Sequence, residues 1–481
     1  MIINNKIVKF LICNLINLIL ISCLFLSSYF GEAKYILYAI FGLIYILYLL
    51  KKDEIDIIKN QISYTLISYV VLDSILAHTK IDVPFELKYL SEIISIILIF
   101  KILINFNEYK NSIKDSIAII IIMCIIINFI YVCITTRNLS DFFNGLRIYF
   151  RFLPTYIILS NRKINIKYYY YMYYFINLII FIIQIILKSD PDIINGIFGL
   201  TGPSTFAIFI MIMSIILYLK FLKKQCSIFV ILLNIALTFT CFVLQENKAF
   251  IFIFIIVTII TLFVGKGIIV KKALVVSISI IFMIIGINMV MVLFPKFSSM
   301  FSGNTMIITI EDYILHNNNS KFIMGRLEAI PYLSSVEFDK PYENFIGKGL
   351  GSALPNENWY YIDSGVSRNR QIFDIQASKI YEKYGSNFGY HLSSTTVLNL
   401  EIGSIGLILI IVMCLIFTIR ACVLIRQGNL YNQIYGMIGI MLIISFLFAT
   451  IYGSDLISRQ FTLMIYVLIG IVTEKYKNIY T

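Results

Sequence analysis

The chain has 481 residues, of which 59% are hydrophobic and only 14% charged, with a mean hydropathy of +0.88. A soluble domain of ordinary make-up carries about 25% charged residues, so an ordinary water-soluble enzyme is excluded. The formal net charge of +12 does not point to a nucleic-acid partner, because the basic residues follow alternate loops between apolar runs.

Those runs have the length that crosses a bilayer core of about 30 Å as a helix. Alternation with period two is absent, which excludes a membrane β-barrel. In chain order they fall at 7–28, 34–50, 62–77, 89–104, 117–134, 146–160, 168–187, 203–219, 227–244, 249–264, 273–294, 396–418, 434–452 and 461–473. The first follows Lys6 and Lys9, exceeds a signal-peptide core, and reads as a retained helix with a cytoplasmic N-terminus. The expected fold is an all-α integral membrane protein with fourteen spans, or twelve to thirteen if one or two segments are re-entrant. The sixth run is short and bears arginines, and is the weakest of them.

The positive-inside rule tests the count. Segments assigned to the inside hold 21 of the 39 basic residues, short outer connections nine, and residues 295–395 the other nine. That balance predicts a multi-pass membrane protein with both termini in the cytoplasm. It divides into a helical region 1–294, a large extracytoplasmic loop 295–395, and three closing helices in 396–481. No internal repeat is evident, which weighs against transporters built from duplicated halves.

All eight cysteines lie in or beside apolar runs and none forms CxxC, so they read as packing residues. The long loop nearly balances its charge, nine basic against ten acidic residues, and holds the sole tryptophan, Trp359. Ser320 to Val336 reads as one amphipathic helix interrupted in part by Pro331. Gly347, Gly349 and Gly351 then mark a tight irregular turn. An aromatic-rich loop of this kind can stack on sugar rings or simply pack a core.

Charged groups near hydrocarbon are functional candidates by default. Arg147 and Arg151 sit four apart, a spacing that stacks two guanidiniums on one helix face. Such forks match phosphate oxygens bidentately; the alternative is snorkelling to lipid headgroups. Lys248, in Gln245-Glu-Asn-Lys248, either pairs with Glu246 or faces an anionic headgroup. Arg459 has Asp455 as its nearest sequence partner, and Arg326 opens the loop helix beside Glu328. Asp73 and Glu92 lie near outer ends of spans with no role assigned. His391 precedes the twelfth span, where an imidazole can accept a proton or serve structure alone. No HExxH, GxSxG, Walker A or dinucleotide pattern occurs, and no metal or other cofactor is expected.

Residues 199–406 resemble the O-antigen ligase and polymerase superfamily. The resemblance rests on Gly199-Leu-Thr-Gly-Pro-Ser204, Gly325-Arg-Leu-Glu-Ala-Ile-Pro331, Gly347-Lys-Gly-Leu-Gly-Ser352, His391, and Glu401-Ile-Gly-Ser-Ile-Gly406. The histidine stands ten residues before the glutamate where the family pattern has about nine. Lys248 stands where many members have a serine–arginine pair. The resemblance implies a metal-independent membrane glycosyltransferase of the GT-C type, most like a repeat-unit polymerase for O-antigen (lipopolysaccharide) or capsule polysaccharide. It implies an undecaprenyl-pyrophosphate-linked oligosaccharide as donor, membrane lipids as surroundings, and the pathway's chain-length regulator and flippase as partners. Arg147, Arg151, Lys248 and Arg459 would hold the pyrophosphate, Arg326 and His391 would be catalytic, and Trp359 and Glu401 would serve the substrate loop. A ligase transferring the chain to lipid A core and a non-catalytic flippase are the alternatives.

Overall fold

The apolar runs condense into helices because a backbone in hydrocarbon must satisfy its own N–H and C=O groups. The computed structural model describes residues 2–27, 29–30, 33–70, 89–135, 139–163, 167–187, 194–198, 202–245, 250–265, 268–293, 326–354, 380, 383, 392–453 and 455–480. Among these, seven helices are long and apolar enough to cross a membrane: Ile7–Ser27, Ser116–Ile134, Lys167–Ile186, Pro203–Leu222, Ile269–Val292, Ser394–Arg426 and Leu430–Tyr452. An eighth crossing arises if Leu90–Ile104 and Phe106–Ile113, bent by 106°, form one span. No strand occurs among the described residues. By helix length and hydropathy the chain is a multi-pass membrane protein. Along Ser394–Arg426, Ile408, Ile411, Leu415 and Ile419 are 54–61% exposed at helical spacing. That stripe faces acyl chains, since water would penalise so long an apolar strip.

Wherever they are described, the fourteen predicted runs coincide with helices, but length and hydropathy alone identify seven or eight crossings. Lys34–Leu50, Ile228–Leu244 and Phe250–Val264 are apolar yet only 15–17 residues long. A helix that short spans only by thinning the bilayer or with snorkelling flanks. The sixth run departs from expectation. It is two helices, Leu139–Phe150 and Leu153–Leu159, broken at Arg151 and Phe152. Pro154, in the first turn of the second helix, has no N–H for the carbonyl four residues earlier, and its ring crowds that position.

The twelfth run lies in Ser394–Arg426, which is kinked at Gly403 (φ 62°, ψ −169°), a conformation essentially reserved for glycine. The kink frees carbonyls of the preceding turn. Lys348 and Gly349 N–H groups donate to Leu400 and Glu401 oxygens at 2.7 and 2.9 Å. A Cβ on Gly403 would stand 2.5 Å from the Gly347 nitrogen. The expected glycine turn is therefore the cap of a broken helix. The loop helix is Ala329–Glu337, with Pro331 inside its first turn, where a missing N–H costs little. Residues 320–325 lie outside the described ones.

At the opposite end of the bundle, Asp115 caps Ser116–Ile134 and gathers three other elements. Arg420 reaches its two oxygens at 3.0 Å each, Tyr156 donates a 2.6 Å bond, and Lys477 stands 3.7 Å away. Burial alone would push the Asp115 carboxyl up; Arg420, the Tyr156 hydroxyl and Lys477 outweigh it and hold it below the usual range.

Two substitutions test this framework. Gly403→Ala should cost about 1–3 kcal/mol in backbone strain before any clash, read as a lower thermal midpoint of the purified protein. Asp115→Asn removes the charge opposing buried Arg420 and should cost about 3–5 kcal/mol in the same assay.

Candidate functional site

Glu92 occupies the first turn of Leu90–Ile104, where a carboxylate complements the positive end of the helix dipole. Arg147 occupies the last turn of Leu139–Phe150, again the favoured end for its charge. Arg151 falls in the break that Pro154 imposes, and Arg459 is the first residue of Arg459–Tyr480. All three arginines converge on the one carboxylate. Arg147 lies 3.3 Å from Oε2 of Glu92, and Arg151 and Arg459 lie 3.4 and 3.1 Å from its Oε1. The Tyr89 ring lies under both Arg147 and Arg459, at 5.1 and 5.0 Å. The four-residue spacing thus brings Arg147 and Arg151 to one place, although no single helix carries them both.

Burial grades the three cations. The Arg151 and Arg459 side chains are 1% exposed and Arg147 is 23% exposed, so Arg147 forms the open lip. A cation at a helix N-terminus works against the dipole, by about 0.3–1 kcal/mol at exposed sites. The ion pair of Arg459 with Glu92 opposes that cost. Three guanidiniums against one described carboxylate, with the N-termini of Leu90–Ile104 and Arg459–Tyr480, make this corner electropositive.

The expected Arg459–Asp455 pair does not form as a salt bridge of the turn. Asp455 begins a 3-10 turn, Asp455–Ile457, and Arg459 begins a new helix, so the four-residue spacing does not stack them. Asp455 instead accepts a hydrogen bond from Ser204 and faces Arg326. Arg326 lies 4.5 Å from the Tyr452 ring. The residue Asp455 is partly exposed, but its carboxyl is enclosed, and burial pushes it up to about 7 against the lowering effects of Ser204 and Arg326. Ser204 belongs to Pro203–Leu222, whose proline start after Gly202 matches the sequence expectation. The turn is pinned to the twelfth run: Ser394 N–H and Oγ–H donate to the Gly453 oxygen at 2.8 and 3.0 Å.

Glu401 is fully buried. Its carboxyl accepts the Ala353 N–H at 3.1 Å and is a hydrogen-bonding neighbour of the Tyr149 hydroxyl. It anchors the glycine turn to the membrane helix beside the arginine-bearing segment. His391, Lys248 and Trp359 lie outside the described residues, as do Glu246, Asp73 and residues 199–201. Leu392 is buried immediately before the helix pinned to Gly453.

Within the bundle lies an apolar cavity of about 110 Å³, lined among others by Tyr149, Phe150, Leu398, Leu456, Tyr466 and Ile469, and by none of the three arginines. Tyr466 donates to the Tyr149 oxygen at 3.1 Å, tying the cavity wall to the segment that carries Arg147 and Arg151. The cavity meets the segment that carries Arg147 and Arg151 through Tyr149 and Phe150. Comparison of the chain with protein-family models, curated proteins and solved structures gives no match.

The residues that sequence reasoning left unassigned are Glu92 and Tyr89. An acid at the start of an apolar run was the available signal for Glu92, but its partners stand 55, 59 and 367 positions away. The Asp455 carboxyl gives a pH test. Folding favours its protonated form, so it contributes stability that is lost as pH rises from about 4 toward 7. Thermal midpoints measured across that window should fall less steeply in Asp455→Asn than in the wild type.

Proposed function

We propose that the arginine corner binds the pyrophosphate of a lipid-linked oligosaccharide and that the chain polymerises such repeat units into O-antigen or capsule polysaccharide. The observation that carries this reading is the convergence of Arg147, Arg151 and Arg459 on one point, in a bundle whose apolar cavity is lined by Tyr149 and Phe150 of the same segment. A diphosphate headgroup with a prenyl tail has the matching division of charge and hydrocarbon. The sequence resemblance over residues 199–406 supports the same reaction class.

In that reaction an acceptor sugar hydroxyl attacks the anomeric carbon of the donor. The bond from that carbon to the pyrophosphate oxygen breaks, and the bonding pair leaves with the lipid diphosphate. The hydroxyl proton passes to a base, the role taken by His391 in this reading. Charge on the departing diphosphate grows in the transition state, so fixed guanidiniums lower the barrier rather than only binding substrate. Arg326, which faces Asp455, would add a further cation to the site.

The reading includes fourteen crossings of a bacterial inner membrane, with both termini cytoplasmic and the arginine corner outside. It is supported by the helices at both ends of the bundle. Leu90–Ile104, Ser394–Arg426 and Arg459–Tyr480 begin at the arginine end, while Arg420 and Lys477, late in the last two, meet Asp115 at the other.

Arg147 offers the cleanest variant, because it is the most exposed of the three and its removal leaves Glu92 two cations. Arg147→Ala, tested by complementing a deletion strain, should retain folded protein and lower long-chain polysaccharide by roughly a hundredfold, the size typical of losing one oxyanion-stabilising donor. Arg151→Lys and Arg459→Lys keep the charge but lose the fork, and should be impaired less. Single repeats on the acceptor in the deletion strain indicate a polymerase, and an undecorated acceptor indicates a ligase. Full chain length in all three variants overturns the site.

A further inference from the structure

A carboxylate at the centre of a site meant for phosphate is an obstacle unless it has a task. Glu92 stands 3.1–3.4 Å from all three guanidiniums. Charge-assisted bonds settle at about 2.7–2.9 Å, as Arg162 and Glu108 do elsewhere in this chain at 2.7 Å. Arg147 and Arg151 donate hydrogen bonds to Glu92 and Arg459 pairs with it, all at longer distances than that. Two carboxylate oxygens cannot engage three planar forks bidentately, whereas the non-bridging oxygens of a diphosphate can engage more of them.

We propose that Glu92 is a specificity-determining residue of the arginine corner, standing in for a ligand oxyanion when the site is empty and reducing the site's preference for the more highly charged of two diphosphates. The proposal rests on reading the corner as a diphosphate site. A sugar-capped prenyl diphosphate is a diester with one ionised oxygen on each phosphorus. The diphosphate set free by transfer is a monoester, and its additional oxygen ionises near pH 6, as phosphate monoesters do. Product thus carries more charge than substrate. A fixed negative charge among the arginines opposes both, and opposes the product more, because Coulomb energy scales with ligand charge. The consequence is release of the spent lipid, the step that often limits turnover. In the empty site the same carboxylate keeps three like charges together.

The test uses the full chain in phosphatidylcholine nanodiscs at pH 7.5, with two probes: geranylgeranyl diphosphate and its N-acetylglucosamine-capped diester. The ratio of their dissociation constants is compared among wild type, Glu92→Gln and Glu92→Asp. In Glu92→Gln both probes should bind more tightly and the ratio should move toward the monoester by roughly tenfold; Glu92→Asp should keep the wild-type ratio. Wild-type binding with an unchanged ratio in Glu92→Gln overturns the inference and leaves the diphosphate reading standing. Wild-type protein that binds neither probe overturns both. Should Glu92→Gln fail to fold when empty, its recovery by inorganic pyrophosphate during purification supports the stand-in role, and failure to recover overturns it.

Discussion

Three guanidiniums held a few ångströms apart repel one another, by about 3 kcal/mol per pair at 6 Å and an effective dielectric near 20. Glu92, in contact with all three, offsets part of that repulsion. Its carboxylate draws together the start of one helix, the end of a second, the break before a third and the start of the last. The Tyr89 ring, against two of the cations, adds a face that attracts positive charge without adding formal charge.

The apolar middle of the bundle could slide along itself with little penalty, because lipid tails are as apolar as its side chains. Polar contacts at the two ends remove that freedom. At one end Glu92 binds three elements; at the other Asp115 binds Arg420, Tyr156 and Lys477. Arg459–Tyr480 takes part in both, with Arg459 at its start and Lys477 near its end. The cavity lies between these fixed ends, beside the helix kinked at Gly403 and capped by the glycine turn.

Some of the site was legible in the sequence. Arg147 and Arg151 stood out because a charge beside hydrocarbon is costly enough to need a reason, and their spacing correctly placed them together. The single helix expected to carry them was wrong, since Pro154 breaks it, yet the break did not separate the side chains. Arg459 was singled out with the wrong partner: a nearby acid in the sequence is an attractive mate only if both residues share a helix. The glycine turn was recognised as irregular, while its task as a cap for a kinked helix depended on Gly403, fifty-six positions beyond Gly347.

By itself the sequence determined the class of the molecule. Run lengths, the shortage of charge and the absence of period-two alternation leave helices in a bilayer as the physical solution, because every backbone polar group must be satisfied within its own segment. Periodicity and spacing are local properties, and they govern local structure. The tertiary structure decided which charges meet. Glu92 and Arg459 are 367 positions apart, and no local rule links them; only the packing of several helices sets their side chains 3.1 Å apart. An ion pair between distant segments depends on the sum of many weak apolar contacts along each helix, and that sum exists only in the folded bundle.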